Sequence, residues 1–162
     1  MSSDLETPMR VKPYWADLLD DIDATVAEYE DAGYDATALH PGPVTLLEPG
    51  AFEDSAGLSV LLPKSAFETV ESLVADADPD GIDVYAAVAD RLVLLGLFVR
   101  FDEENRVVGI PAYYDRPDAG AMLEWAEANG RLDLHLRTLG GERLVVSCSE
   151  PDRFVPAADE DN

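Results

Sequence analysis

The chain has 162 residues, 47% of them hydrophobic, and a formal net charge of −23 from 34 acidic and 11 basic residues. That length suits one domain that buries about 70% of its unfolded surface without staples, and the apolar fraction excludes a disordered chain. Residues 92–99, the longest apolar run, fall far short of the ~20 residues needed to cross a bilayer. The start of the chain has neither a basic nor an apolar signal region, so the expected location is the cytoplasm, with no membrane contact. The single Cys148 excludes an internal disulfide and a four-cysteine zinc site.

The acids are spread evenly: eleven in residues 1–50, nine in 51–100, ten in 101–150 and four in the last twelve. A tail for a basic partner would concentrate its charge, whereas this chain coats itself. Such a coat repels itself at ordinary ionic strength, and at molar salt the screening length shrinks to about 3 Å. The charge therefore reads as adaptation to a salt-rich cytoplasm. A DNA mimic presenting carboxylates as false phosphates is the rival reading. Direct nucleic-acid binding is not expected, because phosphate contacts need Lys and Arg.

In chain order, residues 1–12 lack periodicity and read as a flexible arm. Pro13 opens a helix whose apolar stripe is Trp15, Leu18, Leu19, Ile22, Val26 and Tyr29, with acids opposite and Gly33 as its stop. Tyr34–Leu39 predicts a short strand, His40-Pro41-Gly42-Pro43 a turn, and Val44–Leu47 the strand that returns. Gly57–Leu62 reads as a strand, and Ser65-Ala66-Phe67-Glu68 as a capping box for a second helix bearing Phe67, Val70, Leu73, Val74 and Ala77. Strands are expected over 82–88, 92–101 and 107–113. The middle one is apolar on both faces, which suits a strand covered on both sides or an interface. A third helix runs from about Pro117 to Asn129, with Met122, Trp125 and Ala126 inward and Gly130 as its stop. Leu132, Leu134 and Leu136 alternate with polar residues, Gly140-Gly141 makes a two-residue turn, and 144–149 returns. The expected fold is α+β: a two-layer, mainly antiparallel sheet with about three helices packed on it. The single domain spans 13–155, and an acidic, disordered tail covers 156–162.

Motifs for chemistry are sparse. Phosphate loops, a nucleophile elbow and the helical zinc motif are absent. His40, His135 and Cys148 stand singly, and the loop from Asp76 to Gly81 has alanine where a calcium loop needs its twelfth-position glutamate. No cofactor or metal is expected. A two-residue turn at Gly140-Gly141 would set His135 opposite Val146 and Asp133 opposite Cys148. His135 and Cys148 then become diagonal neighbours roughly 7–8 Å apart on one face, the material of a thiol nucleophile, base and orienting acid. Against this, a mid-strand cysteine lacks the electropositive surroundings that activate a thiol. His40 at a rigid turn and the Tyr113-Tyr114 pair are candidate binding residues.

Pro13-Tyr14-Trp15 with its acidic helix, His40-Pro41-Gly42, Pro111-Ala112-Tyr113-Tyr114-Asp115 and Glu150-Pro151-Asp152-Arg153-Phe154 together resemble a family of small haloarchaeal proteins of unknown function. The resemblance implies a salt-rich cytoplasm and no particular activity. Two readings stay open. One is a non-enzymatic binding or interaction protein with a protein or small-molecule partner. The other is a small hydrolase using carboxylates or the His135/Cys148 face. Oligomeric state is open in both.

Overall fold

A computed structural model of the protein describes residue 9 and residues 11–155. Most of the expected arm and the whole tail from Pro156 lie outside the described residues. Val11, placed in that arm by the sequence, is wholly buried. Helix α1 (Lys12–Asp31) follows it, with Pro13 in its first turn. It ends in a Schellman motif: Gly33 at φ +104 donates to the Glu30 carbonyl and Tyr34 to that of Tyr29. Leu18 and Ile22 are buried on one face of α1, while Asp17, Asp20, Asp21, Asp23, Glu28, Glu30 and Asp31 are exposed.

Eight strands form two mixed, mostly antiparallel sheets of four, as an α+β fold. In the first sheet, β1 (Asp35–Ala38) pairs in parallel with β6 (Arg106–Asp115). β6 lies antiparallel to β5 (Leu92–Phe101), and β5 to the edge strand β4 (Gly81–Ala89). In the second, β2 (Val44–Leu47) lies antiparallel to β3 (Gly57–Leu61). β3 pairs in parallel with β7 (Leu132–Arg137), and β7 antiparallel with β8 (Arg143–Cys148).

The inner faces of both sheets share one core. Leu95, Leu97, Val99, Val108 and Ile110 from the first sheet join Leu58, Val60, Leu132, Leu134 and Leu136 from the second. Helix α2 (Lys64–Asp76) adds Phe67, Val70 and Leu73, and α3 (Gly120–Asn129) adds Met122 and Ala126. The outer face of the first sheet meets α1, with Phe98, Val107 and Ala36 against Leu18 and Ile22. Strand β5 is thus covered on both sides, as its two-faced apolar pattern predicts. Gly96 and Gly109 make that approach possible. A Cβ at Gly109 would lie 2.9 Å from the Phe98 ring and 3.3 Å from Ile22.

Three local expectations are corrected. The single sheet is two, because β2 does not return to β1. Pro41 and Pro43 offer no N–H to a hairpin. The segment instead crosses over, with Gly42 donating to the Leu61 carbonyl and Leu61 to that of Pro43. The capping box does not form, since α2 begins at Lys64 after Pro63 and Ser65 already lies inside it. The β7–β8 turn has three residues, Leu139-Gly140-Gly141. Thr138 donates to the Glu142 carbonyl across it and Gly141 sits at φ +96.

Gly57 has no room for a side chain. Its φ is +154, and a Cβ would fall 1.8 Å from the Asp133 carbonyl oxygen. Gly57→Ala is expected to lower the unfolding free energy by about 3 kcal/mol or more. Urea denaturation checks this, and a variant as stable as wild type would show that the two strands part freely.

Candidate functional site

The one-residue change in turn length decides which side chains meet. Side chains alternate across a strand, so slipping the register by one moves a residue to the other face. Asp133 pairs with Ser147 and His135 with Val145, while Cys148 pairs with Leu132. Cys148 therefore points into the core with Leu132, away from His135. Burial pushes its thiol up, opposite to what a nucleophile needs. It borders a cavity of about 520 Å³ between the outer edges of β4 and β8. The arginines there are already paired, Arg100 with Asp83 and Asp102, Arg153 with Glu150. The expected Cys148–His135 face is not assembled.

Asp133 and His135 do come together, through a residue that sequence reasoning missed. Ser55 arrives on the segment 48–56, which covers the outer face of the second sheet. Its Oγ lies 2.5 Å from Asp133 Oδ2 and 2.8 Å from His135 Nε2. Both ring and carboxylate are sealed off, with His135 0% and Asp133 2% exposed. Phe52 sets its ring edge-on to His135 at 5.3 Å, and the Arg143 guanidinium lies 4.1 Å from the centre of the Phe52 ring. Asp133 Oδ1 accepts from Ser147 Oγ at 2.8 Å and Arg131 Nε at 3.1 Å. Arg131 also donates to the Asp54 carbonyl at 2.8 Å, tying the covering segment to the hairpin. On the same face Arg137 donates to Ser59 at 2.6 Å.

The direction of every proton in this network follows from its donors. Arginine only donates, so Arg143 Nη1, 2.7 Å from His135 Nδ1, makes that nitrogen an acceptor. His135 is then the neutral Nε2–H tautomer and donates to Ser55 Oγ. The Ser55 hydroxyl hydrogen is left for Asp133, an ionised acceptor. Burial and the neighbouring Arg143 charge hold the His135 pKa below its ordinary value, in keeping with a neutral ring. Burial pushes the Asp133 carboxyl up, but hydrogen bonds from Ser55, Ser147 and Arg131 outweigh this and hold it below the usual range. A serine nucleophile needs the reverse arrangement, an unprotonated ring nitrogen facing its hydroxyl. Here three groups resemble a catalytic set and are wired as a strut.

The candidate binding residues are dispersed. His40 is exposed at the end of β1. Tyr113 and Tyr114 are successive residues on β6 and point to opposite faces. Tyr113 packs edge-on against Trp15 at 5.9 Å and accepts from the Val44 amide, whereas Tyr114 donates to the Phe154 carbonyl at 2.7 Å. Both border a cavity of about 320 Å³ that His40 does not line.

A different concavity lies between α1 and β4. Tyr14, Asp17, Leu18, Asp21, Ile22 and Thr25 of the helix face Tyr85, Ala87, Leu94, Gly96 and Phe98 of the sheet across about 210 Å³. The groove exists because α1 crosses β1, β6 and β5 and leaves the outer face of β4 open at Tyr85 and Ala87. Tyr85 is 57% exposed as a result.

A family of unknown function, DUF7529, has a model that matches residues 4–156. The chain belongs to that family. No curated protein and no solved structure matches it. For this DUF7529 protein the described features are therefore the guide to function. They are a buried network that holds a segment in place, and an open groove lined by aromatic and apolar side chains.

The network predicts a pH dependence. A depressed folded-state histidine pKa means that the unfolded chain binds the proton first. Stability is then retained above the ordinary pKa of 6.5 and lost as pH falls below it. Denaturant midpoints from pH 7 to 5 should fall for wild type relative to His135→Gln. Parallel pH profiles of the two proteins would remove His135 from the account.

Proposed function

We propose that this protein is a non-enzymatic binding protein of a salt-rich cytoplasm, and that the α1–β4 groove is where it binds. The observation that carries the reading is the groove itself. It is a largely apolar concavity at the edge of a sheet, lined in part by aromatic side chains, with Tyr85 57% exposed. The wiring of the Ser55–His135–Asp133 network supports it from the other direction, since it spends the chain's most enzyme-like residues on structure. A small hydrolase using carboxylates or the His135/Cys148 face draws less support, because Cys148 faces the core and the ring is already protonated toward Ser55.

The salt-rich setting, haloarchaeal by the resemblance noted above, draws on the even distribution of acids and on the seven exposed carboxylates along α1. Among the described residues no helix is long and apolar enough to cross a membrane.

Two measurements test this proposal. Ala87→Trp fills the groove from an exposed position on β4. Affinity purification at molar KCl with wild-type and Ala87→Trp baits should recover a species that the variant loses. Identical recoveries, or the bait alone from both, would overturn binding of a macromolecular partner at this groove. Thermal midpoints should rise steeply between ~0.1 M and ~3 M KCl as screening removes the self-repulsion of the acidic coat. A flat profile would rule out the salt adaptation.

A further inference from the structure

We infer that the α1–β4 groove takes a compact organic ammonium ion, one whose positive charge is carried on an apolar body. The inference rests on the reading of the groove as the binding site and specifies its ligand chemistry.

Three features converge on that class. The first is aromatic. Tyr85, 57% exposed, offers its ring to the groove and stands edge-on to the buried Phe98, which backs the floor beside Gly96, with ring centroids 5.7 Å apart and an interplanar angle of 75°. Tyr14 contributes from the helix side. Aromatic faces attract cations, and more strongly when the cation sheds its water cheaply. A substituted ammonium does so, whereas a small inorganic ion does not.

The second is charge. Asp17 and Asp21 are four residues apart, on one side of α1, and both line the groove. No basic residue lines it. The Asp17 and Asp21 carboxylates have no hydrogen-bond or ion-pair partner among the described residues, since Thr25 bonds only the Asp21 backbone carbonyl. A hard divalent cation needs six or more oxygen ligands, and an apolar floor cannot supply them. The unmatched charge therefore suits a cation that buries carbon on the aromatic floor and keeps its charge near the two carboxylates.

The third is size. About 210 Å³ is below the roughly 300–1,000 Å³ typical of drug-sized ligands, so the ligand is compact. Gly96 keeps the floor open, because a Cβ there would lie 3.1 Å from Ile22 and 3.2 Å from the Phe98 ring.

The test compares choline chloride with its uncharged carbon isostere, 3,3-dimethyl-1-butanol, on the full chain at about 0.5 M and about 3 M KCl, which bracket the range over which screening changes. Amide shifts of Tyr85, Ala87 and Gly96 report occupancy. Choline should bind about tenfold tighter than the isostere. The double variant Asp17→Asn/Asp21→Asn, exposed on the helix surface, should lose most of that preference and leave isostere binding unchanged. Tyr85→Ala should weaken both. Choline preference should shrink at the higher salt without vanishing, since the aromatic contact is not screened. Equal affinity for the two probes, or a preference indifferent to the aspartates, would overturn the ammonium class. Absence of shifts with either probe would also overturn it. If Ala87→Trp still loses a captured species while neither probe binds, the ligand class fails and the binding site stands. If choline binds as expected and Ala87→Trp changes no recovery, the ammonium site stands and the macromolecular reading of the groove fails.

Discussion

A single buried carboxylate organises the second sheet. Asp133 sits on β7, 2% exposed, with its charge met by Ser55, Ser147 and Arg131. An isolated carboxylate in that position would be costly by several kcal/mol. Supplied with three donors, one of them charged, it becomes a clasp. The donors come from three places: the covering segment, β8 and the approach to β7. Holding the charge therefore holds the segment on the sheet. Arg131 reinforces this by reaching the Asp54 carbonyl. The backbone agrees, for Asp133 donates to the Ala56 carbonyl at 3.0 Å and Gly57 has no side chain to keep the strands apart.

The first sheet is built differently. Its outer face is held mainly by apolar contacts, and its geometry is set by where side chains are missing. Gly96 and Gly109 flank Phe98, so the ring lies flat enough for Ile22 to reach the sheet. Tyr29 then packs on Phe98 at 5.4 Å and donates to Asp83. α1 covers β1, β6 and β5 and reaches β4 through the Tyr29 hydroxyl at Asp83, leaving Tyr85 and Ala87 exposed. The groove follows from a helix narrower than the sheet beneath it, and the acids along α1 give its rim one sign of charge. The buried polar residues thus hold the second sheet and its covering segment together, while the open concavity lies on the first sheet.

Much of the architecture was legible in the residues. The 3.6-residue stripe from Trp15 to Tyr29 and Gly33 after it mark α1 and its end. The two-faced apolar run 92–101 marks a strand covered on both sides. Gly130 at φ +69 closes α3 as its position suggests. The candidate site was legible only in part. Asp133 and His135 were singled out, but Ser55 lies 78 and 80 residues away from them with no local pattern to link it. Phe52, Arg131 and Arg143 carry no motif that marks them in the sequence. The clue available was the strand 131–137 itself, whose polar side mixes Arg, Asp, His and Arg. A solvated edge has no need of that combination, and a buried face must be able to match charge with charge.

The sequence by itself determined most of the elements and the glycine stops of α1 and α3, because periodicity and turn chemistry act over a few residues. Tertiary structure alone decided the pairing of β1 with β6 and β3 with β7, which join segments about 70 residues apart. It also decided the register of the last hairpin. Leu139-Gly140-Gly141 permits a turn of two residues or three, and only the demand to bury Leu132, Leu134, Val146 and Cys148 together selects three. That one residue separates a thiol beside a histidine from a thiol in the core, and it is the tightly packed core that makes the choice.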